Sequence, residues 1–419
     1  MKSATTDACR QFALQVVETL VDAGFTAFWA GGCVRDQLLA RTPKDYDVAT
    51  NATPREVRSL FGRNRTLAIG QSFGVITVLG DRHVAPVEVA TFREDVSYSD
   101  GRHPDAVRFS HAREDALRRD FTINGLFYDP IKDEVVDFVD GQKDLGERRL
   151  RAIGDAEQRF DEDKLRMLRA VRFAADFEFS IESTTFEAIR HHAAEIRQVS
   201  VERIANELQK MLVHPRNFAA LKLLQASGLW DAIFPEMADP TPGNWGRLID
   251  AFLLLRAQHF GEALALIAWA DESADAVLLI ETLASRLKLS HEDRLRARFV
   301  VQHWQDLENA SPTTWHRAQP VLTSQHGEST LRFAEVVLRV MGREFNGIQF
   351  CKERMAWPDD KLNPPPLLTG HDLKKLGLTP GPEFRGWLDR ARERQLLGEM
   401  HSRDDALGWI RAELANRLE

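Results

Sequence analysis

Two carboxylates lie two residues apart at Asp45 and Asp47, with Tyr46 between them. Residues two apart on a β-strand face the same side, so this pair could bind divalent cations in a site where two ions lie about 3.5–4 Å apart. Taken alone, an Asp pair near Pro43 usually caps or solvates a loop. The pair therefore needs support from its neighbours.

A glycine turn precedes the carboxylate pair. The apolar run 27–30 predicts a short buried strand, Gly31 and Gly32 interrupt it, and residues 34–39 indicate the start of a helix. Two glycines between a strand and a helix let the backbone approach a phosphate, whose charge Arg35 and the helix N-terminus favour. A Gly-Gly before a helix is usually only a turn, but a phosphate turn followed this closely by an Asp pair predicts nucleotidyl transfer.

The segment GGCVRD at 31–36, followed by DYD at 45–47, resembles the nucleotidyltransferase signature of class II tRNA CCA-adding enzymes and bacterial poly(A) polymerases. The resemblance implies an α+β fold, in which a head built on a small mixed β-sheet precedes an all-α neck, body and tail. It also implies that Asp45 and Asp47 bind two Mg²⁺ ions and form the catalytic group together with Glu88. Without the resemblance, Glu88 is equally well explained as a sheet-edge residue facing water.

The motif RRDFTIN at 118–124 is the next candidate. It could be a helix end that leads into a strand at 126–128, or its arginines could hold a triphosphate while its Asp and Asn hold ribose hydroxyls. The motif is nearly identical to one of the same family, apart from Gly125, where the family commonly has Ala. The nucleotide-binding residues expected here are Arg118, Arg119, Asp120 and Asn124.

The stretch EDKLRMLRAVRF at 162–173 could recognise a base. Asp163 and Arg166 are three apart, which predicts either an ion pair on a half-exposed helix or a pair facing a ligand. A carboxylate accepts from the amino group of cytosine or adenine and an Arg donates to the ring nitrogen, whereas uracil and guanine reverse that order. The stretch resembles the family's EDxxR motif, in which this pair replaces a template; Arg169 and Arg172 match further nucleotide-binding positions.

Strand signals dominate the first third of the chain, and helical periodicity takes over from about residue 155. Runs at 74–79 and 84–92 predict a hairpin. The polar stretch 93–104 is typical of a surface loop and resembles the family's flexible loop, which is linked to the switch from C to A addition and weighs against a CC-only enzyme. We expect four domains: a catalytic head at 1–140, a neck at 141–215, a body at 216–362 and an RNA-binding tail at 363–419.

Composition narrows the class of protein. A length of 419 residues suggests two to four domains, and a net charge of −8 argues against indiscriminate binding to nucleic acid. Cys9, Cys33 and Cys351 form no pair or metal-binding spacing, which favours a reducing compartment. The sequence shows neither a signal core nor a membrane-length apolar run, so a cytoplasmic location is expected. No obligate protein partner is evident.

The predicted function is template-independent addition or repair of the 3′-terminal CCA of tRNA from CTP and ATP. The neck and tail would bind the acceptor arm through its backbone and shape. An A-adding enzyme and a poly(A) polymerase share these motifs and remain alternatives, and a non-catalytic RNA-binding regulator is a more distant one. The pair His371 and Asp372 could suggest a phosphohydrolase, but the start of a helix explains the pair more simply.

Overall fold

The computed structural model describes residues 2–95, 107–237, 242–271 and 275–416. The chain forms two compact units, Met1–Met211 with Ala219–Ala238 and Leu212–Phe218 with Asp239–Glu419. The predicted divisions at residues 140, 215 and 362 stay a proposal. No helix among the described residues is long and apolar enough to cross a membrane.

Strands belong almost entirely to the N-terminal part of the first unit. They are β1 (Ala27–Ala30), β2 (Asp47–Thr50), β3 (Thr66–Leu67), β4 (Val75–Val78), β5 (Val87–Thr91), β6 (Arg93–Asp95), β7 (Val107–Phe109), β8 (Phe127–Asp129), β9 (Glu134–Val136), β10 (Arg149–Leu150) and β11 (Ser180–Ile181).

Helices frame the sheet and make up nearly all of the rest. They are α1 (Lys2–Asp22), α2 (Gly32–Leu38), α3 (Pro54–Phe61), α4 (Ala112–Leu117), α5 (Gly141–Gly146), α6 (Ala156–Glu162), α7 (Leu165–Phe177), α8 (Ser183–His192), α9 (Val201–Leu212), α10 (Asn217–Ala226), α11 (Leu229–Ile233), α12 (Pro242–Leu254), α13 (Phe260–Ala270), α14 (Ala276–Arg286), α15 (His291–Glu308), α16 (Trp315–Leu322), α17 (Gly327–Val340), α18 (Asn346–Met355), α19 (Asp359–Leu362), α20 (Gly370–Lys375), α21 (Pro382–Leu396) and α22 (Arg403–Asn416).

The main sheet has seven strands in the order β3-β4-β5-β2-β1-β8-β9. Only β2 and β5 pair in parallel; the other neighbours are antiparallel. The predicted hairpin is confirmed as β4 and β5, although β5 begins at Val87 because Pro86 has no N–H to donate to a ladder. This mixed sheet, followed by a mostly helical chain, confirms the predicted α+β class.

The polar stretch 93–104 lies largely outside the described residues. Its first three residues are not loop but strand β6, which pairs antiparallel with β7. The family-specific interpretation of the rest stays a prediction.

Aromatic side chains pack on the main sheet. Phe28, Phe92 and Phe127 form a cluster on one side of the sheet, with ring centroids 5.9–6.2 Å apart. The next residue on β1, Trp29, stacks on Tyr128 with ring centroids 5.5 Å apart. Burial of such large apolar surfaces is the main favourable term in folding, so β1 is held firmly between its neighbours.

The C-terminal helices have an apolar cluster of their own, in which Trp387 and Trp409 meet edge to face at 5.6 Å. A capping box at Thr369 starts α20, and its partner Asp372 is buried and also accepts from Arg403. That hydrogen bond and the capping bonds lower the pKa of Asp372 to about 2. Asp372 is thus a capping residue, as the simpler explanation of the His-Asp pair predicted.

Candidate active site

The carboxylate pair lies at the start of a central strand. Strand β2 begins at Asp47, and Asp45 lies two residues before it. Tyr46 is 5% exposed and packs edge-on against Trp29 with ring centroids 4.9 Å apart, whereas Asp45 and Asp47 are both exposed. Residues 45–47 alternate between exposed and buried, and both carboxylates line the same cavity, as their spacing predicted.

Negative charge accumulates around Asp47. Its side chain reaches the solvent, but protein surrounds it on the remaining sides. This partial loss of water, followed by the charges of Asp45 and Glu88, raises the pKa of Asp47 to about 6, against the opposing charge of Arg119. Glu88 acts from β5, the parallel neighbour of β2. A cation that binds here would relieve this repulsion.

A cavity of about 670 Å³ opens beside these carboxylates. It brings together every predicted site residue except Glu88 and Arg172. The lining comprises Gly31, Gly32, Arg35, Asp45, Asp47, Arg118, Arg119, Asp120, Asn124, Asp163, Leu165, Arg166, Arg169, Phe173 and Arg203.

The glycine turn and an arginine meet closely in this cavity. Gly31 has φ 71° and ψ −120°, in the region that favours glycine. A Cβ at Gly31 would lie 2.9 Å from Nη1 of Arg119. The same Nη1 donates to the carbonyl of Asn124 at 3.3 Å. Any side chain at Gly31 would displace Arg119 from this position.

Arg118 and Arg119 share one buried anchor that the sequence analysis missed. Asp115 on α4 is 1% exposed and pairs with Arg118 at 2.6 Å and Arg119 at 2.9 Å. Burial alone would raise the pKa of Asp115, but the two arginines outweigh it and hold the pKa below its usual range. The i,i+3 and i,i+4 spacing was the available signal.

A chain of hydrogen bonds joins the RRDFTIN motif to α7 and α2. Arg169 donates twice to Oδ2 of Asp120, at 2.9 and 2.6 Å, and Asn124 donates to Oδ1 at 3.0 Å. Arg35 then donates to Oδ1 of Asn124 at 2.6 Å and pairs with Asp36 at 2.7 Å.

These bonds decide the ionisation state of Asp120. Burial raises its pKa, but Arg169 and Asn124 reverse the shift and lower the pKa to about 2. Asp120 is therefore an ionised anchor of the site. The side chains of Asp120 and Asn124, predicted to hold ribose hydroxyls, are already bonded to protein groups.

The prediction that Asp163 and Arg166 are neighbours on one helix is wrong. Helix α6 ends at Glu162, Asp163 is extended with φ −151° and ψ 103°, and α7 begins at Leu165. Oδ1 of Asp163 accepts the backbone N–H of Leu165 at 3.0 Å. An Asp side chain that bonds the backbone two residues on competes with the helix, which explains the break.

Asp163 and Arg166 are also held by different partners rather than by each other. Arg203 on α9 donates to Oδ2 of Asp163 at 2.7 Å, and Arg166 pairs with Glu162 at 2.7 Å. Both side chains still line the cavity. The sequence analysis missed Arg203, because nothing in the linear pattern relates residues 40 positions apart.

Arg172 lies outside the residues that line the cavity. It pairs with Glu207 at 2.6 Å and with Asp176 at 3.5 Å, and its guanidinium lies 4.1 Å from the centre of the Phe173 ring. These contacts give Arg172 a structural role at the junction of α7 and α9. Its expected part in nucleotide binding stays a prediction.

Comparison with known proteins supports this picture. The sequence profile of the Poly A polymerase head domain matches residues 27–151, and that of a probable RNA and SrmB-binding site of polymerase A matches residues 178–239. The first match covers the main sheet and the carboxylate pair, and it places them in the nucleotidyltransferase class.

Full-length relatives define the family. The CCA-adding enzyme of Levilactobacillus brevis is 33% identical over 405 residues, which is 95% of this chain and 96% of that enzyme. A crystal structure of the Bacillus stearothermophilus CCA-adding enzyme with CTP is 29% identical, has a TM-score of 0.80, and matches over 97% of this chain and 98% of that one. The chain therefore belongs to the family of CCA-adding enzymes.

A more distant structure extends the likeness in fold alone. The Thermotoga maritima CCA-adding enzyme complexed with tRNA is 19% identical, has a TM-score of 0.67, and matches over 96% of this chain and 95% of that one.

Proposed function

We propose that this protein adds or repairs the 3′-terminal CCA of tRNA from CTP and ATP, without a nucleic-acid template. One observation carries the proposal: a single cavity joins the carboxylates Asp45 and Asp47 to the candidate base-selecting side chains Asp163 and Arg166. The substrate class is that named for its full-length relatives.

The residues at the sheet end fit magnesium. Mg²⁺ prefers carboxylate oxygens and keeps several waters, and Asp45 and Asp47 present two carboxylates to an open cavity. Asp45 and Asp47 would hold two ions, with the charge of Glu88 close by. Ions bound there would lower the pKa of the attacking RNA 3′-hydroxyl and stabilise the charge of the triphosphate.

The arginines provide the charge that a triphosphate needs. Six arginines and four aspartates line the cavity, so its wall carries an excess of positive charge even before a metal binds. Arg118 and Arg119 are held in place by Asp115, and fixed guanidinium groups bind phosphates with strong, directional hydrogen bonds. These two residues and Arg35 would orient the phosphates with the leaving pyrophosphate directed away from the hydroxyl.

The other end of the cavity would select the base. Asp163 would accept from the amino group of cytosine or adenine, and Arg166 would donate to the ring acceptor beside it. Because each side chain has its own anchor, in Arg203 and Glu162, neither depends on the nucleotide for its position. A preset pair of this kind could replace a template base.

A poly(A) polymerase is the second candidate, because the matching head profile is described by that activity. An A-adding enzyme shares the same site. A cytoplasmic location stays part of the proposal.

The test uses the purified full chain with Mg²⁺, CTP and ATP, and tRNA that ends before, within or after CCA. Sequencing of the 3′ ends should show completion to CCA and then a stop. Addition of A to tRNA-CC alone would identify an A-adding enzyme, and long A tails on varied RNAs a poly(A) polymerase. The absence of any nucleotide incorporation would favour a non-catalytic RNA-binding regulator. Asp45→Ala should abolish addition, whereas Asp81→Ala, at an exposed position, should not.

A further inference from the structure

A second group of potential ligands lies in the helical part of the first unit, between α6 and α8. Glu157 belongs to α6, and His191 and His192 end α8. One ring nitrogen from each His and a carboxylate oxygen all lie within 4.8 Å of one another. None of the three lines the cavity of the proposed reaction.

The distances are close to those of a metal site. Two ligands of a tetrahedral ion with bonds of about 2.0–2.1 Å lie about 3.3 Å apart. Nδ1 of His191 is 3.2 Å from Oε2 of Glu157. Nε2 of His192 is 2.5 Å from the same oxygen, a contact that would lengthen by less than about 1 Å. The Glu157 side chain is half exposed and free to make that adjustment.

The far side of the His192 ring supplies an independent observation. Nδ1 of His192 lies 3.0 Å from Oε1 of Glu195. When this nitrogen donates its proton to Glu195, the lone pair of Nε2 points toward Glu157 and His191. A ligating His is usually oriented by such a carboxylate on its other nitrogen. Lys164 in turn fixes Glu195, with Nζ at 2.7 Å from its Oε2.

The cluster carries an excess of negative charge, which favours the binding of a doubly charged cation. Three carboxylates, Glu157, Asp161 and Glu195, surround the histidines, and Lys164 compensates one of them. Nζ of Lys164 lies 2.6 Å from Oδ1 of Asp161 and 2.7 Å from Oε2 of Glu195. With neutral histidines, two negative charges remain.

We propose that Glu157, His191 and His192 bind a divalent transition-metal ion of the zinc class, with Glu195 as the residue that orients His192. Nitrogen ligands favour zinc, cobalt and nickel over magnesium, so this site is chemically distinct from the carboxylates at the sheet. The bound ion would tie α6 to α8 and stabilise the first unit through its affinity for the folded state.

The test titrates Zn²⁺, in a calorimeter, and Co²⁺, by visible absorption, into the full chain stripped of metal and kept in excess Mg²⁺. The Mg²⁺ occupies carboxylate-only sites. One equivalent of Zn²⁺ should bind and raise the unfolding temperature. Bound Co²⁺ should show the visible absorption band that is typical of a Co²⁺ ion with nitrogen ligands and a low coordination number. Absence of one-to-one binding would overturn the proposal.

Single substitutions locate the site. His191→Ala changes an exposed ring, so folding is retained, and the affinity for Zn²⁺ should fall at least about tenfold. Glu195→Gln should weaken it by about 10–100-fold. Their controls are His83→Ala and Glu187→Gln, both at exposed positions, which should bind like the wild type. Equal affinity of His191→Ala and the wild type would place any bound zinc elsewhere and refute the assignment.

Discussion

The carboxylates at the two ends of the cavity have different surroundings and opposite pKa shifts. At the sheet, Asp45 and Asp47 lie together and the pKa of Asp47 rises to about 6. At the helices, Asp120 and Asp163 each bond an arginine, and the pKa of Asp120 falls to about 2. Neither Asp45 nor Asp47 has an ion-pair partner within the described ranges.

This difference separates groups that await a ligand from groups that build the site. Like charges held close together cost free energy, so a cation bound at the sheet end would stabilise the folded protein. A carboxylate bonded to a partly buried arginine is already satisfied, and it positions other groups. Substitutions at the two ends should therefore damage different properties.

The largest effect is expected from Asp47→Asn. Loss of a carboxylate that we propose to bind metal should lower the rate of nucleotide addition at least about 1,000-fold, because metal binding supplies several kcal/mol of charge stabilisation in the transition state. The temperature of unfolding without Mg²⁺ should not fall, since the substitution relieves repulsion. Single-turnover addition of CTP measures the rate, and thermal unfolding measures the stability. Glu134→Gln, exposed on β9, is the control; wild-type activity in Asp47→Asn would contradict the assignment.

Asp120→Ala should instead destabilise the fold. It leaves Arg169 and Asn124 without their shared acceptor, which should lower the free energy of unfolding by about 2–3 kcal/mol. Denaturant unfolding measures this loss. Glu178→Gln, which breaks the exposed ion pair with Arg148, should cost less than about 1 kcal/mol. Equal losses in both variants would remove the distinction between the two ends.

Arg203→Met should relax base selection. The Asp163 carboxylate loses the donor that fixes its Oδ2, so the ratio of kcat/KM for CTP to that for UTP should fall about tenfold, the range of one hydrogen bond to a charged group. Arg203→Lys should restore part of the ratio, which a general loss of folding would not permit. Arg190→Met, exposed on α8, serves as the control. An unchanged ratio would show that Asp163 needs no anchor.

The smallest effect concerns pH. Because the folded-state pKa of Asp47, about 6, exceeds its ordinary value of 3.8, the folded state binds more protons between these values. Without Mg²⁺, the contribution of this group to stability therefore falls as pH rises through that window. Protons and Mg²⁺ compete, so thermal stabilisation by Mg²⁺ should grow from about pH 5 to pH 7.

Asp45→Asn sharpens this measurement. It removes one of the charges that raise the pKa of Asp47, so the midpoint of any remaining pH-dependent stabilisation should move to lower pH. A midpoint that stays in place would mean that desolvation and Glu88, rather than Asp45, raise the pKa of Asp47.

The sequence predicted the sheet end better than the helix end. The spacing of Asp45 and Asp47 is a local property of the sequence, and the alternation of exposed and buried residues at 45–47 follows it, although only Asp47 belongs to the strand. The helix end depends on contacts between distant segments. Arg203 meets Asp163 only because α9 packs near α7, and the bond from Leu165 to Asp163 breaks a pattern that reads as one continuous helix.

The same reasoning explains the position of Arg172. Its spacing on α7 continues that of Arg166 and Arg169, but Glu207 on α9 holds it outside the cavity lining. Periodicity identifies which residues share a face of a helix, not which neighbouring element covers that face. The missed anchor Asp115 differs, because it lies within one helical turn of its arginines and its spacing could have revealed it.

The position of β2 in the sheet also bears on how the site fluctuates. The strand has β5 on one side and β1 on the other, whereas Asp163 occupies a break between two helices. Segments with backbone bonds on both sides open last in native-state hydrogen exchange. We expect the amide of Val48 to exchange more slowly than that of Leu165. Transient openings would then disturb the proposed base-selecting pair while the proposed metal-binding carboxylates keep their positions. Selection of the nucleotide would therefore fail before catalysis does.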